Sequence, residues 1–250
     1  ARYVVASENE SFTSYPYDRF LGGIGSGTTP VDLANTIVNE HHQSLPGYPR
    51  TLAAFDLARM ADVTNAINNF ADSMLDANHQ IETGLSDGLL AVFDEAQKLD
   101  SNVDLLVDNQ DGYVDLFHLA SLVSQRIGNA SVQNAANALQ NALTAAPSPL
   151  IINNRAASGS YAARAWNLDN ANGLSIYLPL GEADWRQDFY NGSELSLAEA
   201  TLWDEFVRAL ASTKFGSNTV RPAPLNAGEE RPGPLEVLEV YDIYLPALQR

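Results

Sequence analysis

The chain contains no cysteine among its 250 residues. This absence excludes disulfides, cysteine-ligated metals and a cysteine nucleophile within this chain, and it assigns no compartment. Basic residues are also scarce, with 14 Lys and Arg against 31 Asp and Glu, which gives a net charge of −17. Such a surface repels nucleic acid and anionic membranes and attracts basic substrates. The same acidic surplus is also typical of a solvated surface that only maintains solubility.

Long hydrophobic runs are missing as well. No apolar run approaches the roughly 20 residues that a membrane-spanning helix requires, so no membrane span is predicted. No signal peptide is visible at the start, where the sequence opens inside a strand-like segment. This opening leads us to expect a processed or truncated chain. Hydrophobic residues make up 45% of the sequence, which favours a globular protein over a disordered one.

Local patterns predict strands alternating with longer helices. Tyr3–Ala6 has the β-branched and aromatic composition of a buried strand, and a polar loop follows it. Thr29 and Pro30 open a helix, because Thr caps helix N-termini and Pro fits the first helical position. The other predicted elements are a strand over Thr51–Phe55, helices over about 58–79, 89–99, 114–127 and 132–146, strands over Leu150–Asn154 and Gly173–Pro179, and a helix over Ser196–Ser212.

This mixture predicts an α/β fold. We expect residues 1–215 to form the main unit, with a helical insertion over about residues 57–147. Residues 216–250 are rich in Pro and Gly at first and are expected to form an arm followed by a docking segment.

Five segments, in this order, resemble the clostripain-like family of cysteine peptidases, relatives of the caspases and legumains. They are Tyr3–Glu8 with Glu10 beyond it, Tyr15–Asp18, Thr51–Leu57, Tyr113–Leu116 and Gly173–Pro179. Each segment alone is a weak signal, and their shared order over about residues 3–180 carries the resemblance. It implies a caspase-like α/β/α sandwich, incomplete at its N-terminal side.

The resemblance also implies what this chain lacks. In that family the nucleophilic cysteine lies shortly before the Val-Ala-Ser-Glu strand, and the histidine that activates it usually precedes a glycine. This chain has no cysteine, and none of its four histidines precedes a glycine. The resemblance therefore predicts the downstream, specificity-side portion of a peptidase, inactive alone and completed by an upstream half. The alternatives are an inactive relative and a noncatalytic binding or scaffold module.

Cleavage after Arg or Lys is the specificity that the resemblance implies. Ala6, Ser7 and Glu8 are predicted to offer backbone groups to an extended peptide substrate, as an added strand would. Glu8 and Glu10 would add negative potential, because a bound guanidinium is recognised by carboxylates. Solvated loop acids are the alternative for both. An extracellular or cell-envelope location follows from the family alone.

No cofactor is predicted, although enzymes of the family that the sequence resembles are often calcium-dependent, and one polar run is a candidate for calcium. With Gly112 at the sixth place of an EF-hand loop, Asn109 and Asp111 occupy the third and fifth places. The first place is then Val107 and the twelfth is His118, so a full EF-hand loop fails. A looser calcium site stays open, and a polar turn that caps the next helix is the alternative. A carbohydrate-active enzyme would require two facing carboxylates, which the many acidic residues permit without indicating.

Overall fold

The computed structural model describes residues 1–9, 15–79, 85–100, 105–109, 111–179 and 196–215. The described helices are α1 (Tyr17–Gly22), α2 (Pro30–Ser44), α3 (Met60–His79), α4 (Leu85–Glu95), α5 (Leu116–Arg126), α6 (Ala130–Thr144), α7 (Ser196–Ala200) and α8 (Trp203–Phe215). The described strands are β1 (Tyr3–Ala6), β2 (Arg50–Asp56), β3 (Lys98–Leu99), β4 (Tyr113–Asp115), β5 (Ile151–Ala157), β6 (Gly159–Tyr161), β7 (Arg164–Trp166) and β8 (Ser175–Tyr177).

The first sheet has the strand order β1-β2-β5, and both pairings are antiparallel. Tyr3 lies opposite Asp56, and Ala6 lies opposite Ala53. Strand β1 is therefore an edge strand, and no other described strand pairs with its outer edge. A second sheet has the order β3-β4-β8, and β6 pairs with β7 in a separate hairpin.

Both faces of the first sheet are covered by helices. Because side chains alternate between the faces of a strand, Val5, Leu52 and Ala54 pack on one side against helix α2. Ala6, Ala53 and Phe55 point to the other side and join the main core, which also contains buried residues of α3, α5, α6 and α8. The first sheet with its two helical layers forms the α/β/α sandwich that the family resemblance implies.

Helix starts follow the expected capping chemistry. Thr29 caps α2, where its side chain accepts from the Asp32 N–H while the Asp32 carboxylate accepts from the Thr29 N–H. Pro30 occupies the first helical position, as predicted. Asp115 caps α5 and Asn129 caps α6 through their side-chain oxygens.

Three predicted boundaries are wrong for reasons that local sequence does not carry. The polar loop that was predicted to follow the first strand contains α1. The sequence predicts Leu99 at the end of one helix and Tyr113 directly before another. Both are strand residues instead, because β3 and β4 pair with each other. The single helix predicted from Ser196 is two helices, since the Thr201 hydroxyl donates to the Leu197 carbonyl and accepts from the Trp203 N–H.

Within the described part of the chain, no helix combines the length and the hydropathy that crossing a bilayer would require. The arm and docking segment predicted for residues 216–250 lie outside the described residues.

Candidate substrate-binding end of strand β1

The polar residues after β1 are buried rather than exposed. Ser7, Glu8 and Asn9 are 8%, 4% and 2% exposed, although polar residues of these types normally lie at the surface. The Ser7 hydroxyl is 2.8 Å from the Thr51 hydroxyl, and it also accepts from the Asn9 N–H at 3.3 Å. These contacts fix the backbone where the chain leaves the sheet.

Glu8 reaches from the first sheet to the turn that precedes β8. Its Oε1 accepts a hydrogen bond of 2.8 Å from the Gly173 N–H. Its Oε2 is buried and receives no N–H or hydroxyl donor from the described residues. The side chain instead forms a hydrogen bond with the Asp115 side chain. Two carboxyl groups can bond in this way only if one of them carries a proton.

Asp115 receives more hydrogen-bond donors than Glu8 does, although both carboxyl groups are buried. Its oxygens accept from the His118 N–H at 2.6 Å, from the Asn172 N–H at 2.6 Å and from the Asn172 side-chain amide at 3.1 Å. It also lies at the N-terminus of α5, where the helix dipole favours negative charge. Three donors and a helix end together stabilise the ionised form of this group.

The shared proton is therefore assigned to Glu8. Burial raises the pKa of the Glu8 carboxyl well above its usual range, and the nearby Asp115 charge and side-chain hydrogen bond raise it further. Burial also raises the pKa of Asp115, but its N–H donors and Glu8 act in the opposite direction. A protonated Glu8 is able to donate to the Asp115 carboxylate, which accounts for a buried Oε2 that receives no donor from the described residues. We refer to Glu8, Asp115, Asn172 and Gly173 as the acid clasp.

A glycine is required where the clasp meets the sheet. Gly173 has a φ of +112°, which side-chain-bearing residues rarely adopt. A Cβ placed there would lie 2.6 Å from the Ala53 Cβ in β2. The absence of a side chain thus lets the turn lie against the sheet closely enough for its N–H to reach Glu8.

The structure brings three of the four predicted site residues together. Ala6, Ser7 and Glu8 lie at the end of β1, and all three are buried. Glu10 lies outside the described residues. Backbone contact between this segment and a substrate remains a prediction. The Glu8 carboxyl points into the acid clasp in this structure.

Sequence reasoning missed the other members of the clasp, although their local signals were present. Asp115 directly precedes an apolar helical run, which is the usual position of a capping residue. Asn172 and Gly173 form a dipeptide typical of turns. Both signals predict local structure only. Nothing in them indicates that the two places meet around Glu8.

The polar run considered for calcium forms a turn. The Asp111 carboxylate accepts from the Asp108 N–H at 2.9 Å, and the Asp111 N–H donates to the Asp108 carbonyl at 3.3 Å. Among the described residues, no group of three or more His, Asp or Glu side chains is arranged to hold a metal ion. Asp115, at the end of this run, serves as a helix cap.

Comparison with known proteins identifies the fold. The chain is similar to an inactive zymogen of a C11 protease from Parabacteroides distasonis, with a TM-score of 0.56 and 16% identity. It is also similar to a secreted C11 cysteine protease from Bacteroides thetaiotaomicron, solved with an irreversible peptide inhibitor, with a TM-score of 0.51 and 14% identity. At these identities the similarity shows the fold, which is caspase-like. No match was found among curated proteins.

The two similarities cover 80% and 81% of this chain but only 51% and 53% of the solved chains. This chain thus spans about half the length of the structures that it resembles. The model of the clostripain family (Peptidase_C11) matches residues 1–212, which is most of the sequence. The chain therefore belongs to the clostripain family of cysteine proteases.

Proposed function

We propose that this chain is the downstream, specificity-side portion of a clostripain-like cysteine endopeptidase that cleaves after Arg or Lys. The catalytic cysteine and histidine would be supplied by an upstream half of the same enzyme. Residues 1–215 would form the peptidase portion, and residues 216–250 an arm with a docking segment. Acyl transfer through a cysteine thioester is excluded for this chain alone, because it contains no cysteine.

The outer edge of β1, which pairs with no strand in the described part of the chain, is the observation that carries this proposal. In the described part of the chain, β1 has a strand partner on one side only. Exposed sheet edges are natural places for a further strand, because their N–H and C=O groups remain free to pair. An upstream half that extends the sheet would cover this edge and bring its catalytic groups next to the end of β1.

Ala6, Ser7 and Glu8 would then bind the substrate through their backbone groups. An extended peptide that pairs with such a segment gains main-chain hydrogen bonds, while side-chain pockets provide specificity. Since the Glu8 carboxyl lies in the acid clasp, Glu10 is the remaining acidic side chain of this segment for the electrostatic role. The net charge of −17 would further attract substrates that carry basic residues.

The facing carboxyl pair does not support a carbohydrate-active enzyme. Retaining glycosidases place their two carboxyl groups about 5 Å apart, on either side of the bond that is cleaved. Glu8 and Asp115 are instead hydrogen-bonded to each other, and both are buried.

Reconstitution tests the proposal directly. The chain is mixed with the polypeptide encoded upstream of it, and cleavage of Arg and Lys reporter peptides is measured. A matched reporter with Gln at the cleavage position is the control, because Gln has similar size and no charge. Thiol-dependent cleavage of the Arg and Lys reporters, but not of the Gln reporter, is expected.

The same experiment separates the alternatives. Cleavage that does not distinguish Gln from Arg and Lys would contradict the specificity and retain the peptidase. No thiol-dependent turnover would contradict the peptidase and favour a noncatalytic binding module. The residues encoded before Ala1 provide a simpler check, since a His-Gly pair and a later cysteine are expected there.

An extracellular or cell-envelope location completes the proposal. One similar protein is described as secreted, which supports this location by analogy. Fractionation of the source cells, followed by detection of the chain with an antibody, would test it.

A further inference from the structure

The acid clasp joins the two main sheets at the end of β1. Glu8 follows β1 of the first sheet, whereas Asp115 is the last residue of β4 in the second sheet. Asn172 and Gly173 are neighbours in the chain, and their adjacent N–H groups bind Asp115 and Glu8 respectively. One short turn thus holds the two carboxyl groups side by side.

Within the parts of the chain that the structure describes, no basic side chain neutralises this pair. Neither Glu8 nor Asp115 takes part in an ion pair within the described residues. On α5, the other titratable group at this end is His118, and its ring Nδ1 accepts from the Gln97 N–H at 3.0 Å. The charges that act on the His118 ring are those of Glu95, Lys98 and Arg126. Glu8 and Asp115 are therefore held together by a proton rather than by a cation.

The clasp also determines where the predicted substrate segment lies. The next residues on either side of Glu8 are Ser7, which is bonded to Thr51, and Asn9, whose N–H is bonded to Ser7. Ser7 fixes this segment to β2 in its own sheet. Among the described residues, the Glu8 side chain connects the end of β1 to Asp115 in the second sheet and to Gly173 in the turn before β8. If Glu8 were released, the end of β1 would lose its side-chain contacts with the second sheet and with the turn before β8.

We propose that Asp115 and Asn172 are positioning residues for substrate binding, acting through a proton-linked Glu8 that fixes the backbone of Ser7, Glu8 and Asn9. This inference rests on the proposed function, in which that backbone binds the substrate. The clasp itself can be tested without any catalytic activity.

A pH response follows from this arrangement. When pH rises far enough to ionise Glu8, two buried carboxylates face each other and repel. The hydrogen bond between them is lost, and the segment from Ser7 to Asn9 is released. Substrate affinity is then expected to fall on the alkaline side, before any global unfolding.

The first test uses the 250-residue chain alone. Carboxyl ¹³C NMR follows the titration of Glu8 in the wild type and in Asp115→Asn, while amide hydrogen exchange follows residues 7–9. Asn retains the capping role of Asp115. We expect Glu8 to titrate above the usual range in the wild type and at lower pH in Asp115→Asn. Exchange at residues 7–9 should rise roughly tenfold or more, with a smaller change at Val4, which is paired with Phe55.

A second variant, less disruptive than Asp115→Asn, keeps the test valid if Asp115→Asn fails to fold. Asn172→Ala removes only the side-chain amide and leaves the backbone N–H that binds Asp115. It should change exchange at residues 7–9 in the same direction and by a smaller factor. Asp204→Asn is the matched control, because Asp204 is also a buried acid but lies in α8 and pairs with Arg208 in the same helix. It should leave exchange at residues 7–9 unchanged.

The second test uses the reconstituted enzyme and separates KM from kcat. Asp115→Asn is expected to lower kcat/KM by roughly 10- to 100-fold, mostly through KM. The wild-type KM should rise with pH through the Glu8 titration. This rise should be absent in Glu8→Gln, which keeps a neutral donor at that position. A merely structural role would change stability without changing this pH profile.

The outcomes separate the two proposals. If the wild type shows no turnover, the proposed peptidase fails, and the exchange experiment still decides whether the clasp positions residues 7–9. If Glu8 titrates as an ordinary carboxyl, or if exchange at residues 7–9 is the same in Asp115→Asn and the wild type, the clasp proposal is overturned. A KM that does not respond to pH or to Asp115→Asn in an active enzyme overturns it as well.

Discussion

The two ends of strand β1 are held by different interactions, an exposed ion pair at one end and a buried pair of acids at the other. At its start, Arg2 and Asp56 form a bidentate ion pair, with Nε–Oδ1 and Nη2–Oδ2 distances of 3.1 and 2.9 Å. The Arg2 side chain is 64% exposed, so water and salt compete with this pair. At the other end, Glu8 and Asp115 are two acids in contact, both buried and joined by a proton. Only the second end is adjacent to the proposed substrate segment.

This difference predicts opposite responses to pH. The pKa of Glu8 is raised by burial, so its stabilising effect is complete below the ordinary Glu pKa. It is lost as pH rises through the folded-state pKa. The hydrogen bond from Arg2 lowers the pKa of Asp56, so that effect is present above the ordinary Asp pKa. It is lost as pH falls through the folded-state pKa. One end of the strand therefore weakens in base and the other in acid.

The largest expected loss of stability comes from adding a side chain at Gly173, where the clasp contacts the sheet. Gly173→Ala forces a side chain into a φ of +112° and against the Ala53 Cβ. Backbone strain and overpacking together should lower the free energy of unfolding by about 3 kcal/mol. Urea unfolding measures this change. Gly128→Ala is the control, because an added Cβ there meets no atom within 4 Å, and equal losses in both variants would contradict the tight contact.

Removing the Glu8 side chain should have the next largest effect. Glu8→Ala leaves the buried Gly173 N–H without its acceptor and opens a gap, which should cost about 2 kcal/mol. Glu8→Gln keeps an acceptor for Gly173 and a neutral donor for Asp115, so it should cost about 1 kcal/mol or less. Thermal or urea unfolding below pH 6 compares the two. If Gln is as damaging as Ala, the assignment of the proton to Glu8 is wrong.

The pH dependence of stability distinguishes the two ends directly. Unfolding free energies are measured from mildly acid to alkaline pH for the wild type and for Glu8→Gln. The wild type should lose stability relative to the variant as pH rises above the ordinary Glu pKa. In both proteins Asp204 also makes the free energy of unfolding fall as pH rises. Burial and the neighbouring Glu205 raise its pKa to about 8, in spite of its ion pair with Arg208. The difference between the proteins isolates the clasp, and parallel curves would contradict it.

The sequence predicted the features of this region that depend on local patterns. Strand β1, the Thr29 cap of α2 and the strand that follows Gly173 were each predicted from neighbouring residues. The order of five short motifs also indicated the family, although none of them was specific alone. These signals are local because capping, turn formation and strand composition act over only a few residues.

The clasp required the tertiary fold. Glu8 and Gly173 are separated by 165 residues in the chain, and the acidic loop after β1 gave no sign that Glu8 is buried. A Glu that follows a strand is normally solvated, so local reasoning favoured an exposed acid. Strands β3 and β4 were missed for a related reason, since each is short and is defined by pairing with distant residues.

The smallest effect is expected at the other end of β1. Arg2→Ala removes the guanidinium from Asp56 and also its contact with the Tyr3 ring, whose centroid lies 5.0 Å from the Arg2 Cζ. Because Arg2 is solvated, the loss of stability should be smaller than for either Glu8 variant, and added salt should reduce it further. Urea unfolding at low and high salt measures both effects. Amide exchange at residues 7–9 should not change, since the acid clasp holds that end independently. Faster exchange there would show that the two ends of the strand are coupled, and the clasp would then share its positioning role with the ion pair.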